Sequence, residues 1–195
     1  MNNGKGTIVD REHRELCLGR RHILGIGLGA VVALAPGAGW ARTAVRRDRT
    51  LSFLHAHTGE RVRATYFANG GYQPAALKQI NYILRDYRIN AIKPVSPALL
   101  DLLYALGQRL GTGGAFEVLS AYRSAETNAL LSRSNRGVAK RSLHMEAKAI
   151  DLRVPGVRTR DIAKVARQMQ SGGVGYYPRR SFVHIDVGDV RTWTR

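Results

Sequence analysis

Ser142-Leu143-His144-Met145-Glu146-Ala147-Lys148-Ala149-Ile150-Asp151 decides the reading of this chain, together with Phe182-Val183-His184-Ile185-Asp186 further along. Ala147 to Val154 reads as a strand, which puts His144 on the loop entering it and Asp151 near its end. The span folds back far enough for both side chains to reach one ion. His184 lies in a second strand that can pair beside the first. Two imidazoles and one carboxylate make a tripod able to hold Zn²⁺ with one coordination position left for water. That open position distinguishes a catalytic zinc from a structural one.

The elements around these two stretches alternate in type without a βαβ rhythm. Thr50 to His57 and Arg61 to Phe67 alternate as strands about Thr58-Gly59-Glu60, predicting a hairpin, and Asn69-Gly70-Gly71 breaks the second strand. Leu77, Ile80, Ile83, Leu84 and Tyr87 fall at helical spacing over Pro74 to Tyr87. Ser96-Pro97 supplies a cap and first turn for a helix running to Leu110, ended by Gly111-Thr112-Gly113-Gly114. A strand from Phe116 to Tyr122, a short helix through Leu131 and a polar loop over Ser132 to Arg141 follow. Beyond the Ala147–Val154 strand come a helix over Thr159 to Met169 and two closing strands, Val174 to Tyr177 and Phe182 to Val187. Helices gathered before a run of short strands give an α+β class. The expected architecture is a small antiparallel sheet carrying the zinc site, flanked by helices.

The chain has 195 residues and a formal charge of +17, an attractive surface for nucleic acid, anionic lipid or acidic envelope polymers. Residues 1–41 choose among these. A basic stretch ends in Gly19-Arg20-Arg21-His22, an apolar run rich in Gly and Ala extends from Ile23 to Pro36, and small residues surround Trp40. That order is a secretory signal, and the paired arginines before a weakly hydrophobic run are similar to a twin-arginine export signal. The run is shorter than the roughly 20 residues needed to span a bilayer, so contact with the membrane is expected only in transit. The remainder, 42–195, reads as a single domain of the cell envelope or periplasm and as a monomer, still strongly basic. Its composition holds no cysteine, since Cys17 lies in the leader, so disulfides and thiolate zinc ligands are excluded. No recognition-helix, RNP-like or zinc-finger pattern supports a specific nucleic-acid partner.

Four ordered blocks carry a resemblance: Ser120-Ala121-Tyr122-Arg123-Ser124, the Ser142–Asp151 block, Gly172-Gly173-Val174-Gly175-Tyr176-Tyr177-Pro178, and Phe182-Val183-His184-Ile185-Asp186-Val187-Gly188. They resemble the zinc murein endopeptidases of the MepK type, which group with the D-alanyl-D-alanine metallopeptidases. The likeness extends to Leu51–Glu60 and the arginine-pair leader. It implies zinc on His144, Asp151 and His184, peptidoglycan cross-links as substrate, and hydrolysis by zinc-activated water. It also implies that Arg123 faces the scissile carbonyl, where a guanidinium would hold the oxyanion of the tetrahedral intermediate.

Two positions depart from the pattern. Related carboxypeptidases carry an acid three residues before the last histidine ligand, and Ser181 stands there. Asp186 is the nearest replacement as general base, sharing a strand face with His184, though it would equally serve by orienting that imidazole. Glu146 is a second candidate. Ala147 replaces a glycine, which is harmless only where the backbone needs no positive φ. The missing acid keeps open a rival reading, a non-catalytic zinc-containing peptidoglycan-binding protein. Elsewhere, His55 and His57 read as flanking a hairpin edge, Tyr176 and Tyr177 as one groove residue and one core residue. Arg46-Arg47 and Arg179-Arg180 read as solvated charge, and Trp193 as packing the C-terminal end onto the domain.

Overall fold

The computed structural model describes residues 47–134, 139 and 141–195; the signal segment read over 1–41, and Arg46, lie outside them. Strand β1 (Arg49–His55) alternates, with Leu51, Phe53 and His55 buried, and turns through Gly59 at φ 73° into β2 (Arg61–Ala68). Asn69 and Gly70 then both take positive φ, 53° and 79°, and Ala68 pairs with Gly71. This is the two-residue, primed-type turn that matches strand twist, so a short β3 (Gly71–Tyr72) forms where the sequence predicted only a break.

Helix α1 (Pro74–Ile83) stops short of the expected Tyr87. Asp86 leaves the helical path to bridge with Ala91, and its carboxylate accepts from Ser124. Tertiary demand overrides local periodicity there. Helix α2 (Pro97–Leu110) begins on Pro97 as expected and ends at Gly111, whose φ of 68° is the left-handed cap glycine adopts without penalty. Then come β4 (Ala115–Ser120), α3 (Ala125–Ser134), a 3-10 turn over Leu143–Glu146, β5 (Ala149–Arg153), α4 (Thr159–Met169), β6 (Gly173–Tyr177), a 3-10 turn over Pro178–Arg180, β7 (Phe182–Asp186) and β8 (Arg191–Thr194).

The eight strands of the described residues join one sheet in the order β3-β2-β1-β4-β5-β7-β6-β8. The class is α+β. The sheet is larger than expected and mixed, since β1 pairs with β4, and β6 with β8, in parallel. Strand β8 was hidden in the sequence because Arg-Thr-Trp-Thr shows no apolar alternation. Leucines 99, 100, 103 and 106 of α2 and Ile162, Ala163 and Ala166 of α4 join one core with Phe53, Phe116, Val118, Ile150, Leu152, Val183 and Ile185 of the sheet. Burying each large apolar side chain there contributes about 1.5–3 kcal/mol, which fixes the strand registers. Because successive side chains alternate faces, Asp151 and His184 are forced to the face opposite Ile150, Leu152, Val183 and Ile185.

Candidate metal centre

One row of in-register residues crosses that opposite face. Ser120 pairs with Asp151, Asp151 with His184, His184 with Gly175, and Gly175 with Trp193. Ser120 reaches the row through a register shift between Val118 and Ser120. Val118 opposes Leu152 on the core face; the irregularity at Leu119 then turns Ser120 onto the face of Asp151, as bulges beside functional sites do.

His144 approaches from the 3-10 turn. Ser142 Oγ accepts the His144 backbone N–H at 3.4 Å, and Ala147 reverses the chain at φ 54°. The harmless condition for Ala147 is therefore not met: it occupies the left-handed region, costing roughly 1 kcal/mol relative to glycine. Its burial in the core partly offsets this.

The three expected ligands converge. His144 Nε2 lies 3.2 Å from His184 Nδ1 and 3.4 Å from Asp151 Oδ1, and His184 Nδ1 lies 2.9 Å from Asp151 Oδ1. Donors at about 2.0–2.1 Å from a tetrahedral zinc stand about 3.3 Å apart, so the spacing fits that ion. The outer nitrogens are also occupied. His144 Nδ1 donates to Ala121 O at 2.7 Å, and His184 Nε2 donates to Asp186 Oδ2 at 2.9 Å. Each imidazole thereby turns its lone pair toward the common point, the usual support for a metal-binding histidine.

The electrostatics suit a cation. Burial works against the ionised form of Asp151, but His144 and His184 outweigh it and hold the carboxyl well below its usual range. Burial likewise opposes charge on His184, yet hydrogen bonds from its ring to Asp151 and Asp186 push it up to about 9. Two acids thus favour positive charge at that ring, and a metal ion held by Nδ1 would take the proton's place.

Asp186 does not face the cluster. It has no exposed surface and sits behind His184, accepting from Gly173 N, Gly188 N and Arg191 as well. Burial raises it, but these partners prevail and bring it down to about 2. His184 and Asp186 do share a strand face, as expected; the acid simply lies deeper. Glu146 is exposed and paired with Lys148 at 2.7 Å. Ser181 caps the turn before β7 at φ 51°.

Arg123 is buried at the other side of the cluster, 3.9 Å from Asp151 Oδ2. Its guanidinium donates to Asn128 Oδ1 at 3.3 Å and Ser120 Oγ at 3.2 Å, and its Nε has no partner among the described residues. Its hydrogen-bond partners are neutral, and the charge it faces is the Asp151 carboxylate. Burial draws its pKa down and Asp151 opposes this, but guanidinium stays protonated at any working pH. Its loop is tied twice: Arg123 N donates to His144 O at 3.1 Å, and Asp86 Oδ2 accepts from Ser124 N and Oγ at 3.0 and 2.8 Å.

A cavity of about 450 Å³ opens above the cluster. Asp151 is the one carboxylate among its described lining residues, beside six arginines. Tyr177 and Trp193 form part of its wall, joined by a Trp193 Nε1 to Tyr177 OH hydrogen bond of 3.0 Å. Tyr176 packs against the core instead. His57 stacks on Tyr87 at 5.0 Å and His55 is buried beside them, so that pair stands apart from the cluster. Sequence reasoning missed Asp86, Asn128 and Arg191, whose roles depend on contacts across the fold; only Trp193, as a rare large side chain near a glycine-rich strand, carried a usable signal.

A chain with this fold and this cluster falls in a family of peptidases. The chain belongs to the peptidoglycan L,D-endopeptidase MepK family, whose model matches residues 43–193. It is 43% identical over 177 residues to peptidoglycan L,D-endopeptidase MepK of Escherichia coli strain K12, covering 89% of this chain and 96% of that protein. It is 40% identical over 187 residues to the probable peptidoglycan L,D-endopeptidase MepK of Haemophilus influenzae, covering 95% and 97%. No solved structure matches the chain significantly.

Proposed function

We propose that this protein is an exported zinc endopeptidase that cuts peptide cross-links in peptidoglycan. The observation that carries the reading is the convergence of His144, Asp151 and His184 on one point, at the foot of a cavity, in a chain of this family. Zinc bound there would supply hydroxide near neutral pH and polarise the scissile carbonyl.

The chain's own residues do the rest. Asp186 holds the His184 ring in the tautomer that leaves Nδ1 free, and Ala121 O does the same for His144. Arg123 stands ready to stabilise the oxyanion that develops on the attacked carbonyl, held in place by Asn128 and Ser120. Tyr177 and Trp193 wall the cavity and exclude water from one side of the bound peptide. Asp186 serves as a positioning residue, not as the base, because its oxygens are spent on other donors.

Export follows from the leader over 1–41, which delivers the protein to the periplasm or cell envelope. Among the described residues no helix is long and apolar enough to cross a membrane. Among the described residues of the cavity wall Asp151 is the one carboxylate side chain, which favours one rival, a wall-binding protein without turnover. Incubating the purified full chain with cell-wall sacculi separates them. Soluble muropeptides, lost on chelation and restored by zinc, support the endopeptidase; binding without new soluble fragments supports the rival.

A further inference from the structure

Among the described residues, the cavity above the cluster carries Arg123, Arg141, Arg179, Arg180, Arg191 and Arg195 against the one carboxylate side chain of Asp151. Two of these have evident work: Arg123 lies beside Asp151, and Arg191 donates to Asp186 at 2.7 Å. Arg179 and Arg180 differ. Both are exposed at the cavity wall, and among the described residues neither guanidinium has a hydrogen-bond or ion-pair partner.

Their backbone, by contrast, is fixed. Pro178 opens the 3-10 turn and Ser181 closes it in the left-handed region. Arg153 Nε donates to Ser181 O at 2.6 Å and its Nη2 to Arg180 O at 3.3 Å, while Glu117 anchors the same guanidinium at 3.5 Å. Beneath the turn, the Tyr177 and Phe182 rings stack at 4.4 Å. Two adjacent cations on a held turn repel each other, and a bound anion relieves that repulsion. A concave, partly aromatic wall also focuses their field into the space a substrate would fill. Guanidinium suits a carboxylate in particular, because its fork makes two parallel hydrogen bonds.

We infer that Arg179 and Arg180 read a free carboxylate on the substrate, on the cross-linking residue beside the bond lying over the cluster. The enzyme thereby selects acidic cross-links over amidated ones. This rests on the endopeptidase reading for the identity of the ligand. A general anchor for anionic polymers needs only charge spread over the outer surface; these two line the cavity wall itself.

Binding tests it without requiring turnover. A cross-linked stem-peptide dimer is prepared with the carboxylates of its cross-linking residues free, or converted to carboxamides. Each is titrated calorimetrically into the full chain after metal removal, so that nothing is cut. The free acid binds about tenfold tighter than the amide, in line with one charge-assisted pair. That preference falls toward parity in the Arg179→Gln, Arg180→Gln double variant and is partly retained by the double lysine variant; thermal unfolding confirms that both are folded. Equal affinity for acid and amide overturns the inference. So does a double variant that weakens both ligands alike, which is diffuse attraction only. Failure of the metal-loaded full chain to cut either dimer counts against the endopeptidase reading and leaves the binding result standing.

Discussion

Asp151 and His184 are register partners across β5 and β7, and their Oδ1 and Nδ1 atoms stand 2.9 Å apart. Two of the three candidate ligands are therefore placed by sheet pairing itself, whose register the core fixes from the other face. Only His144 depends on a turn. Asp151→Ala should abolish stoichiometric zinc uptake, measured by elemental analysis after dialysis, and reduce muropeptide release by at least about 100-fold. In the unaltered protein, zinc at about 100 times its dissociation constant should add about 2.7 kcal/mol of stability. The variant's melting temperature should not respond to zinc at all.

Asp186→Asn distinguishes a positioning residue from a base. An amide cannot favour the His184 tautomer as a carboxylate does, so zinc affinity should fall about 10–100-fold in competition with a chromogenic chelator. A base role predicts something else, an unchanged zinc affinity with a lower kcat.

Arg123 is expected to act mainly in the transition state, since among the described residues its Nε has no partner, its hydrogen-bond partners are neutral and its pairing with Asp151 is long at 3.9 Å. Arg123→Lys should lower kcat about 100-fold with little change in KM, because an ammonium on a flexible stem cannot reproduce a fixed fork. Zinc content, measured in the same preparation, should stay at one ion per chain.

Much of this site was legible because its chemistry lies in strands with clear alternation. His144, Asp151, His184 and Arg123 stand in short blocks whose spacing shows in the chain, and the structure brings all four together. What could not be read depends on other parts of the fold. The part taken by Asp186 hinges on depth, and sequence shows only that it shares a side with His184. The shift that brings Ser120 beside Asp151 is one residue's irregularity in a pairing whose partner lies far along the chain. Strand β8 forms on β6 through backbone pairing and the fit of Trp193 over Gly175, not through apolar alternation. The early end of α1 follows from the demand on Asp86 to hold Ser124.

The Trp193–Gly175 fit is testable directly. A Cβ on Gly175 would come 2.5 Å from the Trp193 ring, closer than packed atoms tolerate. Gly175→Ala should cost about 1–3 kcal/mol by overpacking, seen as a lower denaturant midpoint with the slope unchanged. Tryptophan fluorescence should shift as the ring leaves its seat 5.2 Å from His184.

The acid limb of the stability curve should depend on Asp101, far from the cavity. This α2 carboxylate accepts from Arg49 at 2.6 Å and from the Tyr66 and Tyr72 hydroxyls at 2.8 Å each, tying the helix to β1, β2 and β3. Burial pushes its pKa up, but hydrogen bonds from Arg49, Tyr72 and Tyr66 outweigh that and hold it below the usual carboxylate value. A depressed folded-state pKa gives stability that is complete above the unfolded value, near pH 4, and lost as pH falls through the folded one. Asp101→Asn removes that contribution. The variant should be less stable than the parent at pH 7, and the gap in unfolding free energy should narrow as pH drops below about 4. A gap that stays constant through that range would mean the carboxylate's charge contributes nothing and the contact is one of shape alone.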